Sequence, residues 1–131
     1  MCGINGFNFN DEPLIKRMNA AIKHRGPDDE GVFVDESTSL GHVRLSILDL
    51  SSAGHQPMKS DSGHYVIVYN GEIYNFKEIR ADLEREGFSF ATGTDTEVIL
   101  TAFEAEGINC FKKFNGIVVR FFHFLHGKTA L

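Results

Sequence analysis

Tyr65-Val66-Ile67-Val68-Tyr69-Asn70-Gly71-Glu72-Ile73-Tyr74-Asn75 is the stretch that decides the fold. Its first five residues are β-branched or aromatic and suit a pleated surface, so they predict a strand. Asn70-Gly71 is expected to stop that strand, because both residues accept the backbone conformations of a tight turn. A hairpin is the usual sequel to Asn-Gly. The residues beyond read as a helix instead. Phe76, Ile79 and Leu83 recur at helical spacing with Glu and Arg between them, and Gly87 follows as a stop.

On the N-terminal side, Gly31-Val32-Phe33-Val34 and residues 39–45 predict two strands around a polar turn at 35–38. Residues 45–50 are expected to extend the second of them. Residues 2–9 alternate apolar and polar after Gly3, which predicts a first strand. Asp11 can cap a helix with Pro13 in its first turn, and Leu14, Ile15, Met18, Ala21 and Ile22 would form its apolar face. Residues 24–31 and 51–63 read as loops. On the C-terminal side, Thr94-Asp95-Thr96-Glu97 has capping-box spacing, with Thr94 as N-cap and Glu97 three residues on. Val98, Ile99, Ala102 and Phe103 would be its buried face, and Gly107 its end. Five or so strands and three helices make an α+β domain with largely antiparallel pairing.

Composition narrows the function. With 131 residues, 42% hydrophobic and 24% charged, the chain reads as one domain over 1–131, neither disordered nor membrane-embedded. Thirteen Lys and Arg against 18 Asp and Glu give a net charge of −5, which argues against a nucleic-acid partner. No run approaches the roughly 20 apolar residues of a membrane-spanning helix, and no signal-peptide plan opens the chain. Two cysteines are too few for a disulfide scaffold, so a cytoplasmic location is expected. Six histidines accompany them, but no Cys-x-x-Cys or His-Glu-x-x-His occurs, so no metal site is expected.

The second residue carries the sharpest chemical signal. Removal of Met1 would leave Cys2 with a free α-amine. That amine has a pKa of about 8, so it can carry protons near neutrality. Thiol and base then sit in a single residue.

Around Cys2 stand Cys2-Gly3-Ile4, His24-Arg25-Gly26-Pro27-Asp28, Gly41-His42-Val43-Arg44-Leu45-Ser46-Ile47, Gly54-His55-Gln56-Pro57-Met58, Asn70-Gly71-Glu72-Ile73-Tyr74-Asn75 and Gly93-Thr94-Asp95-Thr96-Glu97. Together, in this order, they resemble the class II glutamine amidotransferase domain. The nearest likeness is to the N-terminal glutaminase domain of glutamine-hydrolysing asparagine synthetases, over residues 1–116. The resemblance implies a four-layer αββα N-terminal-nucleophile hydrolase sandwich. It also implies hydrolysis of L-glutamine to glutamate and ammonia. Cys2 would attack the side-chain amide and form a thioester. Asn70 and Gly71 would form the oxyanion hole, through a side-chain amide and a backbone N–H. Arg44 would grip the α-carboxylate of glutamine, and Asp95, assisted by Glu72, its α-ammonium. The 24–28 loop would shape the site, and the 54–58 segment would be structural. The glutaminase half-reaction needs no cofactor; ATP and magnesium belong to a synthetase domain expected to receive the ammonia.

Two departures from that pattern stand out. The synthetase portion is absent from these 131 residues, and the sheets of the family run some tens of residues further, so the domain reads as truncated at its C-terminal end. Residues 117–131 form an atypical tail, of the kind a reading-frame slip would leave. The tail is still apolar and is expected to pair as an edge strand, with oligomerisation through the exposed edge as a consequence. Two other functions therefore stay open: a non-catalytic remnant that binds glutamine or a partner, and the glutaminase domain of another class II amidotransferase.

Overall fold

The computed structural model describes residues 1–46 and 51–124, with side chains described as far as residue 117. Two three-stranded antiparallel sheets make up its centre. The first has the order β1 (Gly3–Phe7), β3 (Ser39–Arg44), β2 (Asp29–Val34). The second has the order β4 (Met58–Lys59), β5 (Tyr65–Ile73), β6 (Gly116–Phe124). Helix α1 (Glu12–Ala21) covers the outer face of the first sheet, against β1, β2 and β3. Helices α2 (Phe76–Arg85) and α3 (Asp95–Glu106) lie together on the other side, with α3 against β5. The sheets meet where β5 approaches β1 and β3. The result is the expected helix–sheet–sheet–helix layering.

Two apolar layers hold this together. The larger one is built from Ile67, Tyr69 and Ile73 of β5 and Ile79, Leu83, Val98, Ile99 and Phe103 of the helices. Cys110 is fully buried in the same cluster. Burying such side chains contributes roughly 1.5–3 kcal/mol each. The smaller layer lies between the sheets, where Leu40 meets Val66 and Val68, with Ile4 and Phe33 packed against them. The alternation along β5 therefore sends odd-numbered side chains to the helices and even-numbered ones to the first sheet.

The Asn70-Gly71 stop is corrected by the structure. β5 runs straight through both residues to Ile73, and β6 pairs with it from Tyr65↔Phe124 to Ile73↔Gly116. Gly71 has φ of 158°, close to fully extended, so the chain does not turn there. A nine-residue partner strand outweighs the local turn preference of Asn-Gly. The tail thus pairs as a strand as far as Phe124.

Other boundaries move by a few residues. β1 is shorter than the 2–9 reading, and β2 begins at Asp29, inside the expected 24–31 loop. β3 ends at Arg44; of its expected extension, Leu45 and Ser46 are not strand, and residues 47–50 lie outside the described residues. The two-residue β4 falls within the expected 51–63 loop. Helix α1 starts as expected: Asp11 accepts the Leu14 N–H at 2.9 Å, and proline occupies the first turn. Its buried residues are Ile15 and Asn19, whereas Ala21 is exposed. Asn19 fits because Gly41 beneath it has no side chain, and its amide donates to the Gly31 carbonyl at 3.1 Å. Thr94 caps α3, accepting the Glu97 N–H at 3.3 Å. The reciprocal half of the capping box does not form, because the Glu97 carboxylate accepts from the backbone N–H groups of Ala91 and Thr92 instead.

Candidate active site

Cys2 immediately precedes β1. Because Gly3 pairs with Val43, antiparallel register puts Cys2 opposite Arg44. Its Sγ accepts the Leu45 N–H at 3.4 Å and lies 3.9 Å from the Leu45 carbonyl oxygen. Its own carbonyl accepts from Arg25 Nε at 3.3 Å. The residue is half-buried, so the thiol is positioned but still reachable.

Arg44, the last residue of β3, is only 9% exposed. A solvated strand face would leave a guanidinium in water. Here Nη1 donates to the Ser51 carbonyl at 2.6 Å, and Gly54 packs against the group. A Cβ on Gly54 would stand 2.3 Å from Nη2. The 24–28 loop braces the same strand end. The Arg44 carbonyl accepts the Asp28 N–H at 3.0 Å, and the Asp28 carboxylate accepts the Ser46 N–H at 2.8 Å. Gly26 packs directly on the Val43–Arg44 peptide, where a Cβ would come within 2.3–2.4 Å of backbone atoms.

Asn70, Gly71 and Glu72 lie on β5 beyond the point where β4 has ended. In an antiparallel strand, successive N–H groups point to opposite edges. Tyr74 donates toward the β6 side, to the Asn115 carbonyl. The odd-numbered residues turn their N–H groups to the β4 side. There Tyr69 N–H meets the Gln56 side-chain oxygen at 2.6 Å and Ile73 N–H meets Asp95 Oδ2 at 3.2 Å. The Gly71 N–H lies on this edge between them. Gly71 and Glu72 are exposed and Asn70 is half-buried. Asp95 opens α3, and its Oδ2 also accepts the Tyr69 hydroxyl at 3.1 Å.

The six residues singled out in the sequence thus fall into two groups. Cys2 and Arg44 stand at the end of the first sheet; Asn70, Gly71 and Glu72 lie on β5 of the second, and Asp95 joins them from α3 through its bond to the Ile73 N–H. Cys2 precedes Ile4 by two positions, Arg44 follows Leu40 by four and Asn70 follows Val68 by two. Alternation therefore turns Cys2, Arg44 and Asn70 toward the same layer between the sheets. A buried cation and a thiol at opposed register positions, with an amide facing the same layer, are the group types needed to hold an anionic group beside a nucleophile.

Three supporting residues were not singled out. Gln56 is buried, and its amide nitrogen also reaches the Thr96 hydroxyl at 3.4 Å. Gly54 shapes the Arg44 seat. His42, between Leu40 and Arg44 on β3, is 1% exposed, and burial pushes its pKa down to about 4. All three sit inside the quoted motifs, which is the signal that could have found them.

An open polar pocket of about 370 Å³ adjoins Arg44 and is lined also by Asp28, Asp29, Ser46, Ser51 and His55. Asp29 and His55 pair within it at 2.7 Å. It touches only Arg44 of the six residues, so it does not unite the two groups. No cluster of three metal-ligating side chains forms among the described residues. No helix among them is long and apolar enough to cross a membrane.

Comparison with known proteins fits this arrangement. A putative glutamine-hydrolysing asparagine synthetase 2 of Methanocaldococcus jannaschii is 48% identical over 89% of this chain and 26% of its own length. Asparagine synthetase 1 of Bacillus subtilis is 46% identical over 79% of this chain and 17% of its own length. The chain therefore spans about a quarter or less of the relatives it matches. Among solved structures, glutamine phosphoribosylpyrophosphate amidotransferase of B. subtilis superposes with a TM-score of 0.77 over 95% of this chain and 35% of that one, at 18% identity. The fold is that of the N-terminal-nucleophile amidotransferases. Residues 1–128 match the glutamine amidotransferase domain, and the chain belongs to that family.

Proposed function

We propose that this chain carries out the glutaminase half-reaction of an asparagine-synthetase-type amidotransferase. The observation that carries the reading is the half-buried Cys2 at the register position opposite the buried Arg44, on the sheet face turned to the layer that Asn70 also faces. Cleavage of the Met1–Cys2 bond frees the α-amine. The Cys2 sulfur attacks the side-chain amide carbon of L-glutamine, and the thiol proton passes through the α-amine to the departing ammonia. Water, activated by the same amine, then cleaves the thioester and releases glutamate.

Negative charge on the tetrahedral oxygen needs fixed donors. The Asn70 amide and the Gly71 N–H, on the edge that β4 leaves open, suit that task. One such donor is worth about 2.7–4 kcal/mol of barrier. Arg44 pairs with the substrate carboxylate bidentately, which a lysine does not reproduce. Asp95 and Glu72 hold the ammonium. The half-reaction uses no cofactor, and the ammonia goes to an ATP-dependent synthetase domain or subunit. A net charge of −5 speaks against a nucleic-acid partner, and the two free cysteines suit the cytoplasm. As described, β6 ends its sheet, and that edge suits pairing with a second copy.

The test is intact mass after incubation with 6-diazo-5-oxo-norleucine, together with ammonia release from glutamine. One adduct mapped to Cys2, on a chain without Met1, supports the reading. A folded, processed chain that takes no adduct and releases no ammonia overturns it and favours a glutamine-binding module.

A further inference from the structure

Gln56 has no part in the proposed chemistry, yet its side chain joins the two elements that carry Asn70 and Asp95. Its Oε1 accepts the Tyr69 N–H at 2.6 Å, and its Nε2 reaches the Thr96 hydroxyl at 3.4 Å. Tyr69 precedes Asn70 on β5, and Thr96 follows Asp95 on α3. Gln56 and Thr96 are both buried, where a polar group needs a partner. Only an acceptor can meet the Tyr69 N–H, so the amide is held with its oxygen toward β5 and its nitrogen toward α3.

The surroundings of Gln56 make it a bridge between layers. β4 pairs Met58 with Ile67 and Lys59 with Val66, and continuing that register would bring Gln56 opposite Tyr69. There the Gln56 side chain makes the bond to β5. Its backbone is seated on the first sheet: a Cβ on Gly31 of β2 would stand 2.2 Å from the Gln56 carbonyl oxygen. Two residues earlier, Gly54 packs against the Arg44 guanidinium. One short segment thus touches the proposed carboxylate clamp and reaches the chain neighbours of Asn70 and of Asp95.

Asp95 has bonds of its own to β5, from the Ile73 N–H and the Tyr69 hydroxyl. Both end on the carboxylate that a substrate ammonium would engage. The Gln56 bridge ends on the Thr96 hydroxyl instead, so it holds α3 to β5 independently of that carboxylate.

We infer that Gln56 is a positioning residue, whose side-chain amide fixes the separation between the oxyanion donor Asn70 and the ammonium clamp Asp95. A substrate held by its α-ammonium at one end and attacked at its side-chain carbonyl at the other is set against that separation. A misplacement of about 1 Å between such groups costs on the order of 100-fold in rate. Gln56 touches no reacting atom; it acts through Tyr69 and Thr96. The inference rests on the glutaminase reading for its consequence but not for its geometry.

Two measurements test this, both on Thr96→Val, which removes one end of the bridge and leaves Gln56, Asn70 and Asp95 in place. The first follows Cys2 labelling by intact mass, with 6-diazo-5-oxo-norleucine as the glutamine-shaped probe and iodoacetamide as the probe of the thiol alone. Thr96→Val is expected to slow the first at least about tenfold and to leave the second unchanged. Thr96→Ser, which restores a hydroxyl, is expected to recover most of the loss. Equal falls in both rates, no fall in either, or no recovery in Thr96→Ser overturns the inference. The second reads amide hydrogen exchange by NMR. In Thr96→Val the Tyr69 N–H is expected to exchange severalfold faster, with Val66 and Val68 of the same strand unchanged. Equal acceleration of all three, or none at Tyr69, overturns the bridge itself. A wild-type chain that takes no 6-diazo-5-oxo-norleucine adduct refutes the glutaminase reading, and the exchange at Tyr69 then decides this inference alone.

Discussion

Asp95, the first residue of α3, accepts the Ile73 N–H at the end of β5 through Oδ2 at 3.2 Å, and the Tyr69 hydroxyl reaches the same oxygen at 3.1 Å. One carboxylate oxygen thus satisfies an edge amide that β4 does not reach and ties helix to strand. A carboxylate accepts at both oxygens, so it retains capacity for a substrate ammonium.

Two substitutions separate these duties. Asp95→Asn keeps an acceptor oxygen but loses the charge. It is expected to raise the KM for glutamine tenfold or more while stability changes little. Asp95→Ala takes the acceptor from the Ile73 N–H and should cost about 1–3 kcal/mol as well. Thermal unfolding and steady-state ammonia release check both. Equal stability of the two variants would remove the structural duty, and a wild-type KM in Asp95→Asn would remove the electrostatic one.

The seat of Arg44 makes a second prediction. An alanine methyl at Gly54 would lie 2.3 Å from Nη2 and 2.6 Å from Cζ of Arg44, so the guanidinium must shift and strain its bond to the Ser51 carbonyl. Gly54→Ala should raise the KM for glutamine about tenfold and cost roughly 1–3 kcal/mol. At Gly26 the same methyl meets backbone, the Val43 carbonyl carbon at 2.3 Å and the Arg44 nitrogen at 2.4 Å. Backbone in a paired strand cannot swing aside. Gly26→Ala should therefore cost more, at the upper end of that range or beyond it. Urea denaturation of the two variants gives the order, and a reversed order would contradict this packing.

How much of this was legible in the sequence depends on the range of the force involved. Tyr65 to Tyr69 announced a strand because side-chain preference there agrees with burial on both faces. Asn70-Gly71 misled because the turn preference is local, whereas the pairing that overrides it comes from Val118 and Val119, far along the chain. Asn19 was invisible for the same reason: a polar residue on a helix's buried face is explained only by what Gly41 and Gly31 offer it across space. The six candidate residues were drawn from the quoted motifs, not from periodicity. The supports around them, Gln56 at the Tyr69 N–H and Gly54 beneath Arg44, needed the fold.

Acid should destabilise the domain through His42. Burial is the main cause of its lowered pKa of about 4; the Tyr69 backbone and Asp29 act in the opposite direction, and Arg44 and His55 add to the lowering. The folded state therefore binds this proton less readily than the unfolded chain, whose histidine titrates near 6.5. The contribution is fully present above pH 6.5 and is lost as pH falls toward 4, by up to about 1.4 kcal/mol per pH unit and roughly 3 kcal/mol in all. His42→Leu should flatten the stability profile across that window. An unchanged slope in the variant, measured by urea denaturation at several pH values, would assign the acid sensitivity to another group.

Cys2 itself makes the last prediction. Its contacts with the fold are few: a long N–H···S bond from Leu45 and the Arg25 bond to its carbonyl, which any residue can accept. Cys2→Ala should therefore change stability by less than about 1 kcal/mol. It should abolish ammonia release, because the sulfur is the nucleophile that attacks the amide in the proposed reaction. Cys2→Ser keeps the α-amine and a weaker nucleophile and should fall well below wild type while still binding glutamine. Blocking removal of Met1 should be as damaging as losing the thiol, since a peptide nitrogen at Cys2 cannot carry protons near neutral pH. Intact mass beside each activity assay decides the point. An active chain that retains Met1 would refute the free-amine mechanism while leaving the thiol in place, and ammonia release by Cys2→Ala would refute the nucleophile.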